Sequence, residues 1–235
     1  DAQRFVALGA PPARVAVLGN LKFDQTVPDA QLESGRALRE RLGAQRPVWV
    51  AASTHEGEEE IVLAAHRELL RTHAAALLIL VPRHPQRFDA VARLVQKAGL
   101  ACERRSALGA IPDSPSPISV LLGDSMGEMF MYFAACDVAF VGGSLVPVGG
   151  HNVLEPALLG KPVLFGPHMH NFVAARELLM AADAAVEIGA ASLADALAAL
   201  LADPQRRARM GAAGHAAVAA NRGARERLLA LIEAS

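Results

Sequence analysis

The chain has 235 residues, 52% of them hydrophobic, and 23 basic against 24 acidic side chains leave a net charge of -1. That is enough apolar material for a buried core, while the near-neutral balance excludes a global field for nucleic acid or an anionic membrane, so any anion binding must come from local clusters. Cys102 and Cys136 have no second Cys or His at metal-ligand spacing and read as buried thiols of a reducing compartment. With no bilayer-length apolar run and no signal peptide, the chain is expected to be cytosolic.

Residues 1–9 read like the middle of a helix already running and ending at Gly9, which suggests a piece of something longer. Residues 14–18 form a short β-like run, and Gly19-Asn20-Leu21-Lys22-Phe23-Asp24 resembles a connecting segment. Residues 31–42 are an amphipathic helix, and the nearly continuous apolar run 47–53 predicts the first core strand, covered on both faces. A helix to about Thr72 opens with Ser53 or Thr54 as its cap and an acidic first turn. Strands then follow at 76–81, 100–104, 118–122, 138–141, 162–165 and 185–188, with helices at 85–98, 125–135, 152–159 and 171–182. From Ser192 the pattern is helical, broken near Asp203-Pro204 and again around Asn221-Arg222-Gly223, and the Ser- and Pro-rich stretch 106–117 predicts a surface loop. Strands separated by helices imply right-handed crossovers, hence an α/β doubly wound parallel sheet of Rossmann-like type.

In such sheets ligands bind beyond the carboxyl ends of the strands. The run Val138 to Ser144, continuing through Gly149-Gly150-His151-Asn152-Val153-Leu154-Glu155-Pro156, combines a strand, a phosphate-sized glycine-rich loop and a helix N-terminus, the order α/β proteins use to hold nucleotides. If Asn152 caps that helix, its amide and the free N–H groups of Val153 and Leu154 form an anion site without a metal. Glu155 suits the two hydroxyls of a ribose and equally suits a capping box. Arg83, after Pro82 at a strand end, suits a phosphate or carboxylate; it equally suits pairing with Glu56 or Asp124 to tie loops together. Met126, Gly127 and Glu128 can line a base pocket, with Glu128 accepting from an exocyclic amine, although an acidic first turn explains Glu128 as simply. Ser53, Thr54, His84, Gly142, Gly143, Ser144 and His151 complete the same edge as secondary candidates.

His55, His84, His151, His168 and His170 fall on different loops without an i, i+4 pair, so no metal site is expected. Ser144 lacks the Gly-x-Ser-x-Gly elbow of a hydrolase, and neither a P-loop nor a Gly-x-Gly-x-x-Gly after the first strand occurs.

Read together, Gly19-Asn20-Leu21-Lys22-Phe23-Asp24, Ala52-Ser53-Thr54-His55-Glu56-Gly57-Glu58-Glu59, Val81-Pro82-Arg83-His84-Pro85, Gly123-Asp124-Ser125-Met126-Gly127-Glu128, Val141-Gly142-Gly143-Ser144-Leu145, Gly149 to Pro156 and Gly166-Pro167-His168-Met169-His170-Asn171-Phe172 resemble the C-terminal half of the Kdo transferases of lipopolysaccharide synthesis. The resemblance implies a GT-B glycosyltransferase of two Rossmann-like domains, moving 3-deoxy-D-manno-oct-2-ulosonic acid from its CMP-activated form to the lipid A precursor at the cytoplasmic face of the inner membrane. It implies that Pro82, Arg83, Met126, Gly127, Glu128 and Asn152, Val153, Leu154, Glu155 surround CMP, with no cofactor. Residues 1–24 would then enter from an N-terminal domain, 25–220 would bind the nucleotide sugar, and 221–235 would pack back toward that domain. The resemblance leads to the expectation of a basic residue after Pro147, where this chain has Val148, so one loop contact to donor or acceptor is expected to be missing. The family's general base, a Glu, and its membrane anchor belong to the N-terminal domain, so this chain is expected to bind donor without turning it over. Rival readings are a nucleotide-binding module without turnover, a GT-B-fold UDP-sugar epimerase, and a structural α/β domain.

Overall fold

The structure, a computed structural model, describes residues 2–108 and 118–233. Its elements in chain order are α1 (Ala2–Ala7), α2 (Asp29–Leu42), β1 (Val48–Thr54), α3 (Glu58–Thr72), β2 (Leu77–Pro82), α4 (Phe88–Lys97), β3 (Cys102–Arg104), β4 (Val120–Leu122), α5 (Met129–Ala135), β5 (Val138–Val141), α6 (Leu154–Leu158), β6 (Val163–Phe165), α7 (Val173–Ala181), β7 (Ala185–Glu187), α8 (Leu193–Ala202), α9 (Pro204–Ala220) and α10 (Ala224–Glu233). The strands form one seven-stranded sheet in the order β3-β4-β2-β1-β5-β6-β7, with every pairing parallel.

Apolar side chains fill both faces of the central strands, because successive residues of a strand point to opposite sides. Trp49, Ala51, Leu78, Leu80, Val138 and Phe140 pack under α3, α4 and α8. Val48, Val50, Leu77, Ile79 and Ala139 pack against α2 and α5. A third cluster joins Val141, Val163 and Phe165 to α6, α7 and α9. The chain starts at β1, works outward through β2 to the β3 edge, then returns to β5 on the other side of β1. The winding therefore reverses between β1 and β5, and the crevice beyond their carboxyl ends is the expected ligand position.

Residues 14–18 form no strand; a 3-10 turn at Pro12–Arg14 leads into extended backbone without a sheet partner, and Val17 stays 78% exposed. Five helices begin later than their patterns suggest. The one after β1 starts at Glu58 with Gly57 as N-cap, not Ser53 or Thr54, because Ser53 takes a left-handed φ of 56° at an irregularity in the β1–β2 register. A 3-10 turn, Pro85–Arg87, precedes α4, while α5 waits until Met129, α6 until Leu154 and α7 until Val173. Asp203 breaks the terminal helices as expected, accepting from Arg206 N–H at 2.8 Å to cap α9. Cys136 is buried and Cys102 half-buried, and burial pushes both thiols up, Cys136 to about 12. The Ser- and Pro-rich loop expected at 106–117 lies largely outside the described residues. At the chain's two ends, Asp24 accepts from the N–H groups of Gly223 and Arg225, and Arg227 Nε donates to Leu18 O at 2.8 Å, so the leading segment and α10 are tied together. Among the described residues no helix is long and apolar enough to cross a membrane.

Candidate functional site

At the reversal point, β1 and β5 end side by side, with Ala52 opposite Val141. The turn after β1 carries Glu58 back across this gap. Its Oε2 accepts from His55 N–H at 3.0 Å and Gly143 N–H at 2.7 Å, and its Oε1 from Ser144 N–H at 3.0 Å and Leu145 N–H at 2.8 Å. The glycine-rich turn read as a phosphate-sized loop is thus already filled, by a fully buried carboxylate of the protein itself. Gly142 is what lets it in: a Cβ there would lie 2.9 Å from Glu58 Oε2 and 2.8 Å from Ser53 O. Ser144 is a joint, not a nucleophile. Its Oγ donates to Val141 O at 2.6 Å and accepts from Gly166 N–H at 2.8 Å, locking β5 to the turn after β6.

Three histidines that the sequence scatters over three loops meet here. The His55 and His151 rings, with centroids 5.0 Å apart and planes 7° from parallel, meet nose to nose in one plane with their Nε2 atoms 2.7 Å apart, while His84 meets His55 edge-on at 5.2 Å. They follow β1, β5 and β2, which are neighbours in the sheet; the strand-end rule already places His84 and His151 on this edge, and the strand order brings both loops against His55. Two Nε2 atoms at that distance share one proton, one ring donating and the other accepting. Burial, then the neighbouring His55, Arg83 and His84 charges, hold His151 down at about 4. Burial also lowers His55, aided by His84, Arg83 and Arg87 and opposed by Glu58. Both rings are therefore neutral near pH 7. Among the described residues no group of three or more His, Cys, Asp or Glu side chains is arranged to hold a metal ion.

Pro82 ends β2 and is buried, whereas Arg83 is exposed and, among the described residues, anchored only through its backbone, its N–H donating to Thr54 O at 3.0 Å. The loop-tying alternative for Arg83 fails, because its suggested partners are taken. Arg87 pairs with Glu56 at 3.3 Å and with the buried Glu59 at 3.1 Å, and Arg104 sits 3.7 Å from Asp124, which also accepts from Ser106. No carboxylate among the described residues lies within ion-pair distance of Arg83. Arg87 and Glu59 are the pair that sequence reasoning missed.

Further along the same edge, Met126 is 64% exposed and Gly127 has a φ of +79°, its carbonyl accepting from Gln31 Nε2 at 2.8 Å. Glu128 is the N-cap residue of α5, and both its oxygens are engaged: Oε1 accepts from Arg105 Nη2 at 2.8 Å, and Oε2 from Ser125 Oγ and, at 3.4 Å, Tyr132 OH. An incoming amine must share these oxygens with Arg105 or Ser125. On the other side, Asn152 Oδ1 accepts from Leu154 N–H at 3.1 Å while its Nδ2 donates to Glu155 Oε1 at 3.1 Å. The Leu154 N–H expected to be free is therefore occupied. Val153 and Leu154 are buried, and α6 is only 5 residues long, with Val153 as its N-cap. Glu155 reaches across to Asn152 side chain to side chain, not back to a backbone N–H, and its Oε2 keeps no partner among the described residues. Burial raises its carboxyl, with Asn152 opposing. Val148 is exposed, and its carbonyl accepts from Asn171 Nδ2 at 3.2 Å.

No protein-family model matches the chain. It is 42% identical over 233 residues to the 3-deoxy-D-manno-octulosonic acid transferase of Haemophilus influenzae, covering 98% of this chain and 54% of the relative. It is 46% identical over 222 residues to the transferase of the same name from Bordetella pertussis, covering 92% of this chain and 51% of the relative. The chain thus spans about half the length of the curated relatives it matches. Among solved structures, the C-terminal CMP-Kdo binding domain of WaaA from Acinetobacter baumannii superposes with a TM-score of 0.75 at 35% identity, covering 81% of this chain and 99% of that domain. A parallel sheet reversing between β1 and β5, and this likeness over nearly the whole of a solved C-terminal domain, lead to one conclusion: the chain belongs to the 3-deoxy-D-manno-octulosonic acid transferases, a family of glycosyltransferases, and corresponds to their C-terminal, Rossmann-like half.

Proposed function

We propose that this chain binds CMP-activated 3-deoxy-D-manno-octulosonic acid at the carboxyl edge of its sheet, and that the whole protein transfers the sugar to a lipid A precursor at the cytoplasmic face of the inner membrane. The observation that carries the reading is the match, at 35% identity, to 99% of a solved CMP-Kdo binding domain. Arg83 supplies the cation for the phosphate: among the described residues its guanidinium has no carboxylate partner, whereas Arg87, Arg104 and Arg105 at the same edge each have one. Glu155 Oε2 is the free acceptor for a ribose hydroxyl, and Met126, Gly127 and Glu128 face the base. With the glycine turn filled by Glu58 and the Leu154 N–H taken by Asn152, the phosphate depends on Arg83 more than on backbone donors.

In the transfer step the acceptor hydroxyl attacks the anomeric carbon as CMP leaves, and charge grows on the departing phosphate, where a guanidinium stabilises it. The base that activates the acceptor is assigned to the N-terminal half expected of the family, with residues 1–24 and 221–235 facing that half. A UDP-sugar epimerase is not favoured, since the relatives matched at 42% and 46% identity are transferases.

Calorimetry tests the site. CMP should bind with the same affinity with and without EDTA, and more tightly than UDP. Arg83→Ala should weaken CMP by about 1.5–3 kcal/mol, roughly 10- to 150-fold, the worth of a charge-assisted contact. Unchanged affinity in that variant would remove Arg83 from the site, and loss of binding on chelation would overturn the metal-free reading. Incubated with donor and lipid acceptor, the chain should bind without transfer; turnover would place the base within these residues.

A further inference from the structure

The coplanar, hydrogen-bonded histidine pair has a proton count that the nucleotide reading leaves unused. Two neutral imidazoles carry two N–H protons. One lies in the Nε2–H···Nε2 bond between His55 and His151. The ring that accepts there must hold its proton on Nδ1, and the ring that donates has a bare Nδ1. Neither Nδ1 has a hydrogen-bond partner among the described residues. The rings stand over Gly143, where a Cβ would come 2.9 Å from His151 Cδ2 and 3.5 Å from His55 Cδ2, so the turn makes room for them.

A donor of the proposed class carries two anionic groups, the phosphodiester and the carboxylate of its acidic sugar. Among the described residues the site meets them with a single uncommitted guanidinium, Arg83, because Arg87, Arg104 and Arg105 already serve carboxylates. We propose that the His55–His151 pair is the specificity-determining receptor for the sugar carboxylate, taking one proton from solvent onto its bare Nδ1 as the donor binds, so that the pair carries one positive charge with an Nδ1–H at each outer end, one of which meets the carboxylate. The Nε2–H···Nε2 bond is retained; one N–H bond forms, and nothing is oxidised or reduced.

The charges facing the pair favour this sequence. On His151 they are His55, Arg83 and His84; on His55 they are Glu58, His84, Arg83 and Arg87. Arg83 opposes protonation of both rings while the site is empty. A phosphodiester on Arg83 cancels that repulsion, and a carboxylate beside the rings then favours the cation. A nucleotide lacking the carboxylate gains only the first effect.

This inference rests on the CMP-site reading, and the test separates the two. Calorimetry at pH 7 in two buffers of different ionisation enthalpy compares the CMP-activated octulosonic acid with the methyl ester of CMP, which keeps the phosphodiester and lacks the carboxylate. The acidic donor should take up more protons than the methyl ester, by up to about one. His151→Gln and His55→Gln, each with its melting temperature checked, should abolish that difference and lower affinity for the acidic donor about tenfold more than for the methyl ester. Equal proton uptake by both ligands, or equal weakening of both in the variants, overturns the carboxylate receptor while CMP binding stands. Absence of binding by either ligand to the unsubstituted chain overturns the CMP site, and the receptor with it.

Discussion

Glu58→Ala should destabilise the chain by about 4 kcal/mol, read as a lowered denaturation midpoint at unchanged slope. The carboxylate holds the N–H groups of His55, Gly143, Ser144 and Leu145, and removing it leaves those of Gly143 and Ser144 buried and those of His55 and Leu145 half-buried without an acceptor. An orphaned buried donor costs roughly 1–3 kcal/mol, and water entering the vacated space recovers part of the sum. Glu58→Gln keeps the shape but turns one acceptor into an N–H donor facing N–H groups, and should still cost about 2 kcal/mol. The emptied nest of N–H groups in Glu58→Ala is itself an anion site. Inorganic phosphate should therefore raise the melting temperature of the alanine variant more than that of the unsubstituted chain. A Glu58→Gln variant as stable as the original would mean that the turn is held by packing alone.

The parallel sheet was legible because strands buried on both faces read as continuous apolar runs, and Pro47-Val48-Trp49-Val50-Ala51-Ala52 has no other explanation. The role of Glu58 was not. It sits first in Glu58-Glu59-Glu60, a run that any helix start accounts for through its dipole, yet Glu58 and Glu59 are fully buried and Glu60 is exposed. Glu58 binds backbone donors some 85 residues away, and backbone N–H groups leave no residue-type signature. For the same reason the glycine-rich turn looked empty: Gly142 marks a close approach of something, and residue types alone do not say whether that is a ligand or a side chain. The histidines were legible in part, with His84 and His151 already on the candidate edge. Each was visible at a strand end, and only the strand order β2-β1-β5 converts His84, His55 and His151 from separate loops into one cluster.

The arginines show where spacing leaves an ambiguity that geometry removes. Arg83 and Arg87 both follow β2, and either satisfies a sequence-level pairing with Glu56. The 3-10 turn at Pro85–Arg87 swings Arg87 over the start of α3, where Glu59 needs a cation to offset burial that otherwise raises its carboxyl. One arginine is spent on the fold, which leaves the other for a ligand.

Acid should expose a second buried group with the same kind of hidden partner. His66, on α3, is fully buried; Trp49 Nε1–H donates to its Nδ1 at 3.1 Å, and its Nε2–H donates to Ser119 O at 2.9 Å. The indole can only donate and the carbonyl can only accept, so this one tautomer satisfies both. A proton on Nδ1 would set two N–H groups against each other in the core. Burial, opposed by the Ser119 carbonyl and aided by Arg46, accordingly pushes His66 down to about 4, from an ordinary 6.5. Between those values the unfolded chain binds the proton and the folded chain does not, so stability falls as pH falls, and the loss from this residue approaches about 3 kcal/mol at pH 4. Carboxylates add their own acid loss, so the comparison is with His66→Gln, whose amide offers an oxygen to the indole and an N–H to the carbonyl but does not titrate. Denaturation at several pH values from 7.5 to 4 should find the variant less stable at neutral pH and its acid loss smaller by about 3 kcal/mol. Parallel pH profiles for the two chains would mean that the Trp49–His66 contact survives protonation, and that α3 and β1 are joined by packing and not by this hydrogen bond.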